Sequence, residues 1–236
     1  MAGGAPKVEG REATLPSESA APDRVADAST ASAPRTETGA DLRRLILDHT
    51  RGLLVADGYD RLSMRKIARA VGCSATSIYL HFESKDALTH ALIDEGMRRL
   101  YDVLTAEAAA HADAPARLDA LGRAYVRFGL ENPEYYQVMF QLHPERMARY
   151  PAEDYRRARR NVELFAAALA DGEAAGALHV PPSPDVAAHA LWTALHGLVS
   201  LLLAERVDVR VAGDAFIDAA VRQALAAFRV CESGDA

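Results

Sequence analysis

Residues 63–82, SMRKIARAVGCSATSIYLHF, constrain the fold more than any other part of the chain. Ser63 can cap a helix whose apolar positions Met64, Ile67, Ala68 and Val71 share one face. Gly72 follows as the residue able to take a left-handed conformation and turn the chain sharply. Cys73 is a small apolar plug just past the turn. Ser74 can cap a second short helix that buries Ile78 and leaves Ala75, Thr76, Ser77 and Tyr79 for other uses. Two helices joined by so tight a turn, the second presenting small and hydroxyl side chains, fit a helix-turn-helix.

The flanking sequence fits the same pattern. Half of the 236 residues are apolar, aromatics are few and alanine is abundant. No strand-like run of β-branched residues occurs, so closely packed helices are expected throughout. Leu42, Ile46, His49 and Leu53, widened by Leu45 and Leu54, predict the inward stripe of a helix over 41–57 that covers the back of the helix-turn-helix. Gly58 should end it and Tyr59 fold back onto the small core. Ser84 should cap a long helix over about 85–110, carried by Leu88, Leu92, Leu100 and Leu104. That helix starts in a small head and ends in a larger body. Further helices are predicted from Asp113 and Pro115 onward, over 134–141 and over 152–170. Residues 171–184, with two glycines and three prolines, read as a connector. Two final helices are expected over 185–205 and 213–228. The resulting fold class is all-α, with about nine helices: a tail over 1–39 too poor in apolar residues to order itself, a head over 40–86, a body over 87–230 and a short tail over 231–236.

Charge is distributed unevenly. The chain carries −6, which argues against a protein that coats nucleic acid non-specifically. Residues 41–90, however, hold eight basic and six acidic side chains, so that segment is +2 and the remainder −8. A basic head on an acidic body suits binding of double-stranded DNA at one end, with the second short helix in the major groove. Ser63 and Arg65 can reach one backbone strand, Tyr79 and His81 follow the second helix, and Lys85 lies in the first turn of the long one. A lysine there opposes the helix dipole and is easier to understand if it shares a phosphate with the backbone N–H groups; otherwise it is a solvated lysine beside Asp86. Base reading falls to Ala75, Thr76 and Ser77, through methyl contacts and hydroxyl bonds.

In these residues the chain resembles the TetR/AcrR, or tetracycline-repressor-like, family of transcriptional regulators. The similarity is carried by GYDRLSMRKIARAVGCSATSIYLHFESKDAL, with Ile67-Ala68, the Gly72-Cys73-Ser74 turn, Tyr79, Phe82, Lys85 and Leu88. It implies DNA contact by Ser63, Arg65, Tyr79, His81 and Lys85, with Ser74 to Ser77 in or near the groove. Ala75 and Leu80 depart from commoner basic or polar residues, which bears on the operator sequence. The body resembles a subgroup with a Trp-x-x-x-His-Gly signature, here Trp192, His196 and Gly197, together with NPEYYQVMF at 132–140. The resemblance implies a dimer and a pocket for a small, often lipophilic inducer whose binding releases DNA.

Tyr125, Phe128, Tyr136, Met139, Phe140 and Phe165 are candidate pocket walls, and each is equally an ordinary core side chain. Trp192 and His196, one turn apart, are ligand contacts or interface groups; no Cys, Asp or Glu converges on His196 at metal-site spacing. The first of the final two helices is apolar nearly all round, and the pair is the expected homodimer interface, by packing against the same pair of a second chain. RRARR at 156–160 reads as a solvated helix face. Cys73 and Cys231 imply no disulfide framework. The sequence has no signal-peptide pattern, and the apolar stretch 191–204, at 14 residues, is short for a membrane span, so a cytoplasmic protein is expected. An enzyme or small-molecule carrier without DNA function is the alternative; it lacks a GxGxxG, CxxC or HExxH motif, and no cofactor is expected.

Overall fold

The computed structural model describes residues 39–142 and 151–229. The expected tail at 231–236, residues 1–38 of the expected tail at 1–39, and the loop after Pro144 lie outside them, whereas Gly39 already belongs to the first helix. Among the described residues are nine helices: α1 (Gly39–Asp57), α2 (Met64–Val71), α3 (Ala75–Tyr79), α4 (Lys85–Ala110), α5 (Ala114–Glu131), α6 (Pro133–Phe140), α7 (Ala152–Ala174), α8 (Pro184–Leu203) and α9 (Asp214–Ala226). The only β-type pairing among these residues is a single bridge between Leu178 and Arg229.

Local chemistry sets the helix-turn-helix. The Ser63 hydroxyl accepts from the Lys66 N–H at 3.2 Å and starts α2. Gly72, at φ 81°, ends it and donates its N–H to the Ala68 carbonyl, a left-handed cap that a Cβ would strain. The Ser74 hydroxyl accepts from Ser77 N–H at 3.0 Å to start α3, and Ser84 caps α4 through Ala87 N–H. Each capping hydroxyl satisfies a helix N–H that otherwise lacks a partner.

Two hydrophobic clusters follow. The first joins Ile46, Leu47, Leu54, Tyr59, Ile67 and Ile78 to Phe82, Leu88, Leu92 and Val138. The second holds Leu100, Leu104, Leu121, Tyr125, Tyr136, Phe165, Leu195 and Val199 among others. Helix α4 passes from one to the other, as its leucine spacing indicates. Helix α6 also serves both, Val138 in the first cluster and Tyr136 in the second.

Three expectations need correction. The α1 stripe is rotated: Ile46, Leu47, Thr50 and Leu54 are buried, whereas His49 is exposed. The two candidate stripes run side by side, and the imidazole takes the wet one because it need not be desolvated. Helix α7 continues to Ala174, beyond the expected end at 170, because Gly172 lies inside the helix where Leu178 packs directly on its backbone; Gly176, at φ 69°, makes the actual turn. Finally, the apolar stretch at 191–204 belongs to a helix of 20 residues that is long and apolar enough, by length and composition, to cross a bilayer. In this fold its inner face, Ala188, Leu191, Leu195 and Val199, is buried in the second cluster.

The close approach of α5 to α8 offers a packing test. A Cβ on Gly129 would lie 2.5 Å from Val199 Cγ1 and 3.1 Å from the Tyr136 ring, whereas one on Gly197 meets nothing within 4 Å. Gly129→Ala is expected to destabilise by about 1–3 kcal/mol through overpacking. Gly197→Ala should leave the stability of a single chain unchanged or raise it by up to about 1 kcal/mol through helix propensity. Thermal unfolding of the two variants separates these outcomes.

Candidate nucleic-acid interface and aromatic core

On the head, α3 turns Thr76 outward, with Ala75 and Ser77 half-buried beside it. Tyr79 is 55% exposed and Leu80 82% exposed, so the end of α3 presents an aromatic and an aliphatic side chain to solvent. Ser63 and Ser74 use their hydroxyl oxygens as caps; the Ser74 oxygen also lies 2.8 Å from the Ser77 hydroxyl. Both side chains are exposed, and a serine hydroxyl has further hydrogen-bonding capacity beyond one accepted bond. Arg65 is exposed and His81 half-buried. The Lys85 ammonium donates to the Tyr59 carbonyl at 3.2 Å and sits 3.9 Å from the centre of the Tyr59 ring, while the Tyr59 hydroxyl donates to Asp86. These contacts supply an intramolecular reason for a lysine at this helix start and leave other ammonium protons for an external acceptor. Sequence reasoning missed Arg43, whose guanidinium covers Phe82 at 4.9 Å and brings a further cation to the turn between α3 and α4.

In the body, six of the eight candidate pocket residues meet. Trp192 Nε1 donates to the Tyr125 hydroxyl at 3.0 Å, that hydroxyl lies 3.1 Å from the Tyr136 hydroxyl, and Tyr136 lies 2.6 Å from His196 Nδ1. Ser200 closes the row, 3.4 Å from His196 Nε2. An indole N–H can only donate, and one direction satisfies every member: Trp192 to Tyr125, Tyr125 to Tyr136, Tyr136 to an unprotonated Nδ1. Burial pushes Tyr125 far up and Tyr136 up to about 12, and burial lowers His196, so the whole row is uncharged near neutrality. Phe140 packs on the rings of Tyr136, Trp192 and His196, with centroids 4.9, 6.1 and 5.3 Å away, and Phe165 meets Tyr125 edge-on. Two candidates lie elsewhere. Met139 packs onto Gly96 of α4, and Phe128 lines a cleft with Arg99, Val103 and Asn132.

Between these regions lies a site that sequence reasoning did not find. Glu95, in the middle of α4, is only 5% exposed. Its carboxylate accepts from Arg44 at 2.5 Å, Arg99 at 2.8 Å and the Tyr135 hydroxyl at 2.7 Å. Arg51 donates to the same Tyr135 hydroxyl at 2.9 Å and also bonds Glu134 and Asp48. The guanidinium groups of Arg51 and Arg99 each cover the Tyr135 ring, at 4.5 and 4.7 Å. Burial pushes the Glu95 carboxyl upward, but the bonds from Tyr135 and Arg44 and the fields of Arg44 and Arg99 together hold it below the ordinary glutamate value. One signal was available: Arg44–Asp48 and Glu95–Arg99 are i,i+4 pairs. Among the described residues, no group of three His, Cys, Asp or Glu side chains is placed to hold a metal ion.

A three-helix head with caps at Ser63, Ser74 and Ser84, joined through α4 to a larger helical body, defines a helix-turn-helix regulatory class. Residues 46–92 match the family described as bacterial regulatory proteins, tetR family, and residues 118–228 match the tetracyclin repressor-like C-terminal domain. The chain belongs to the tetR family. It is 40% identical over 65 residues to the HTH-type transcriptional repressor Rv1474c of Mycobacterium tuberculosis, a match covering 28% of this chain and 35% of that protein. The chain spans between about a third and about half of the length of the curated relatives it matches. Solved structures extend the likeness over most of the chain. A protein of unknown function from Rhodococcus sp. RHA1 superposes with TM-score 0.69 at 26% identity, covering 84% of this chain and 99% of that one. A tetR-family regulatory protein from Rhodococcus RHA1, at 23% identity and TM-score 0.66, covers 81% and 98% and shares the fold.

The Glu95 cluster predicts a pH dependence. A carboxyl held below its ordinary value of 4.5 adds stability that is fully present above that pH and lost as pH falls through the folded-state value. Glu95→Gln is therefore expected to cost about 1–3 kcal/mol at neutral pH, the range for a lost charge-assisted bond at a buried site. It should also flatten the loss of stability on acidification below about pH 4.5. Denaturant melts across that range test this, and identical pH slopes for the two proteins would contradict it.

Proposed function

We propose that this chain is a homodimeric, ligand-responsive transcriptional repressor that binds a palindromic operator in the cytoplasm and is released by a small lipophilic inducer. The observation that carries the reading is the capped α2–turn–α3 unit, with the outward face of α3 beside a cationic rim. Residues 40–86 form the DNA-binding head and 87–230 the ligand and dimer body. Thr76, Ser77 and Ala75 read base edges, with Ser74 at the groove margin. Ser63, Arg65, Tyr79, His81 and Lys85 hold backbone phosphates and set the register. The repressor sense draws on the likeness to Rv1474c.

The body reading is that Tyr125, Tyr136, Phe140, Phe165, Trp192 and His196 form the inducer site, with Phe128 and Met139 at its margins, as in the Trp-His-Gly subgroup. These rings fill one another's space, so an apolar ligand enters by parting them and replaces neutral hydrogen bonds only. Tyr136, which an inducer displaces, is followed on one side by Phe140 and preceded by Tyr135 of the Glu95 cluster, so α6 carries the displacement to α1 and α4. Dimerisation through α8 and α9 is supported by the apolar surface that α8 leaves uncovered: Leu201 is 52% exposed and Val186 54%. The capped α2–turn–α3 head supports this reading over a carrier without DNA function, which has no use for it.

Two measurements test the proposal. In gel shifts with the promoter nearest its gene, the folded protein should retard a palindromic duplex, and Arg65→Ala should weaken binding while lowering the log–log salt slope by about 0.9, one released counterion. Failure to shift any such duplex at low salt defeats the regulator reading. In light scattering, Leu201→Arg should convert a dimer into a folded monomer; a variant that stays dimeric moves the interface off α8.

A further inference from the structure

We propose that the cleft between α4 and α7 is a binding site for an organic anion with an apolar chain, bearing a carboxylate or phosphate head group. The cleft has a volume of about 370 Å³ and is lined by Asp94, Met97, Arg98, Tyr101, Arg157 and Arg160. That volume falls within the range of small-molecule sites, about 300–1,000 Å³. Its cations are unequal. Arg157 is committed to Asp94, at 3.2 Å, and to Asp154. That pairing also occupies Asp94, the one carboxylate lining the cleft. Arg98 and Arg160, by contrast, make no ion pair with any described carboxylate.

Arg160 is held in place without a counter-ion. Its guanidinium lies 4.1 Å from the centre of the Tyr101 ring, so the fork is oriented by stacking while its N–H donors remain directed elsewhere. A stacked arginine and a second arginine lining the same cleft suit the oxygens of a carboxylate or phosphate, which guanidinium groups bind through paired, charge-assisted bonds. Met97 and Tyr101, both half-buried, supply an adaptable apolar wall for the remainder of the ligand. The segment RRARR at 156–160 is therefore divided: all four arginines are exposed, but Arg157 and Arg160 line the cleft and Arg156 and Arg159 do not. The site is separate from the aromatic core and stands or falls without any DNA-binding role.

Isothermal titration of the full chain with decanoate and with decyl phosphate tests the assignment. At least one should bind saturably, one per chain, and which binds more tightly identifies the head group. The Arg98→Ala/Arg160→Ala double variant should weaken that binding at least tenfold with unchanged helicity and melting temperature, since both side chains are exposed. Decan-1-ol and inorganic phosphate should each bind at least tenfold more weakly than the better amphiphile. The control pair Arg156→Ala/Arg159→Ala should stay within twofold of the parent. Absence of saturable binding, equal affinity in the Arg98/Arg160 variant, equal affinity for decan-1-ol or inorganic phosphate, or equal weakening by the control pair would each overturn the proposal.

Discussion

A carboxylate buried between two hydrophobic clusters must recover in hydrogen bonds and charge what it loses in hydration, and Glu95 does so with partners on three helices. Arg44 comes from α1, Arg99 from its own α4 and Tyr135 from α6. An unpaired charge at that position would cost several kcal/mol, so the three helices are restricted to relative rotations that keep the donors in place. The first cluster ends on α4 at Ile93 and the second starts at Leu100. The ionic site therefore occupies the boundary where α4 passes from one core to the other. Apolar attraction is itself non-directional, so hydrogen bonds at this boundary add an orientational constraint that packing does not supply. The directional bonds of Glu95 supply the missing register.

Helix α6 is where this constraint reaches the aromatic core. It has only eight residues, and both neighbours Tyr135 and Tyr136 are buried, one toward Glu95 and the other toward Trp192 and His196. Consecutive helical residues point about 100° apart, so one short helix delivers hydroxyls to two separate networks. Pro133 in its first turn and the Asn132 N–H bonded to Phe128 fix how α6 leaves α5. A rotation of α6 that moved Tyr136 would carry Tyr135 with it, since no flexible segment lies between them.

The features that were legible in the sequence are those with local causes. Capping serines at 63, 74 and 84, Gly72 at its left-handed turn, and the leucine spacing of α4 act within a few residues, and the helix-turn-helix emerged intact from them. Features that depend on distant partners were not. Glu95 looks like an ordinary surface acid on a long helix until Arg44, 51 residues away, and Tyr135, 40 residues away, are placed beside it. The α1 stripe was misassigned by one position because leucines occur on both candidate faces, and only the neighbour decides which is dry. Gly172 read as a breaker because its value lies in letting Leu178 approach. The aromatic residue types were visible, but their convergence was not: Phe128 and Met139 have the same composition cues as Phe140 and point elsewhere.

The two networks sharing α6 differ in a way that suits them to different tasks. The row from Trp192 to His196 is neutral, so an apolar molecule that parts it forfeits ordinary hydrogen bonds, each with a net value of about 1 kcal/mol, and regains part of that through its own burial. The Glu95 site is ionic, and separating its members leaves charges that protein cannot readily solvate. Perturbation at the first network is thus cheap, while the second moves as a unit or not at all. A chain that had placed charge in the aromatic row would resist a lipophilic ligand. One that had placed neutral groups at residue 95 would let α6 shift without taking α1 and α4 along. In the proposed inducer reading, the pairing of neutral groups on the body side of α6 with ionic groups toward the head would convert a local rearrangement of rings into a displacement of the helices that support α2 and α3.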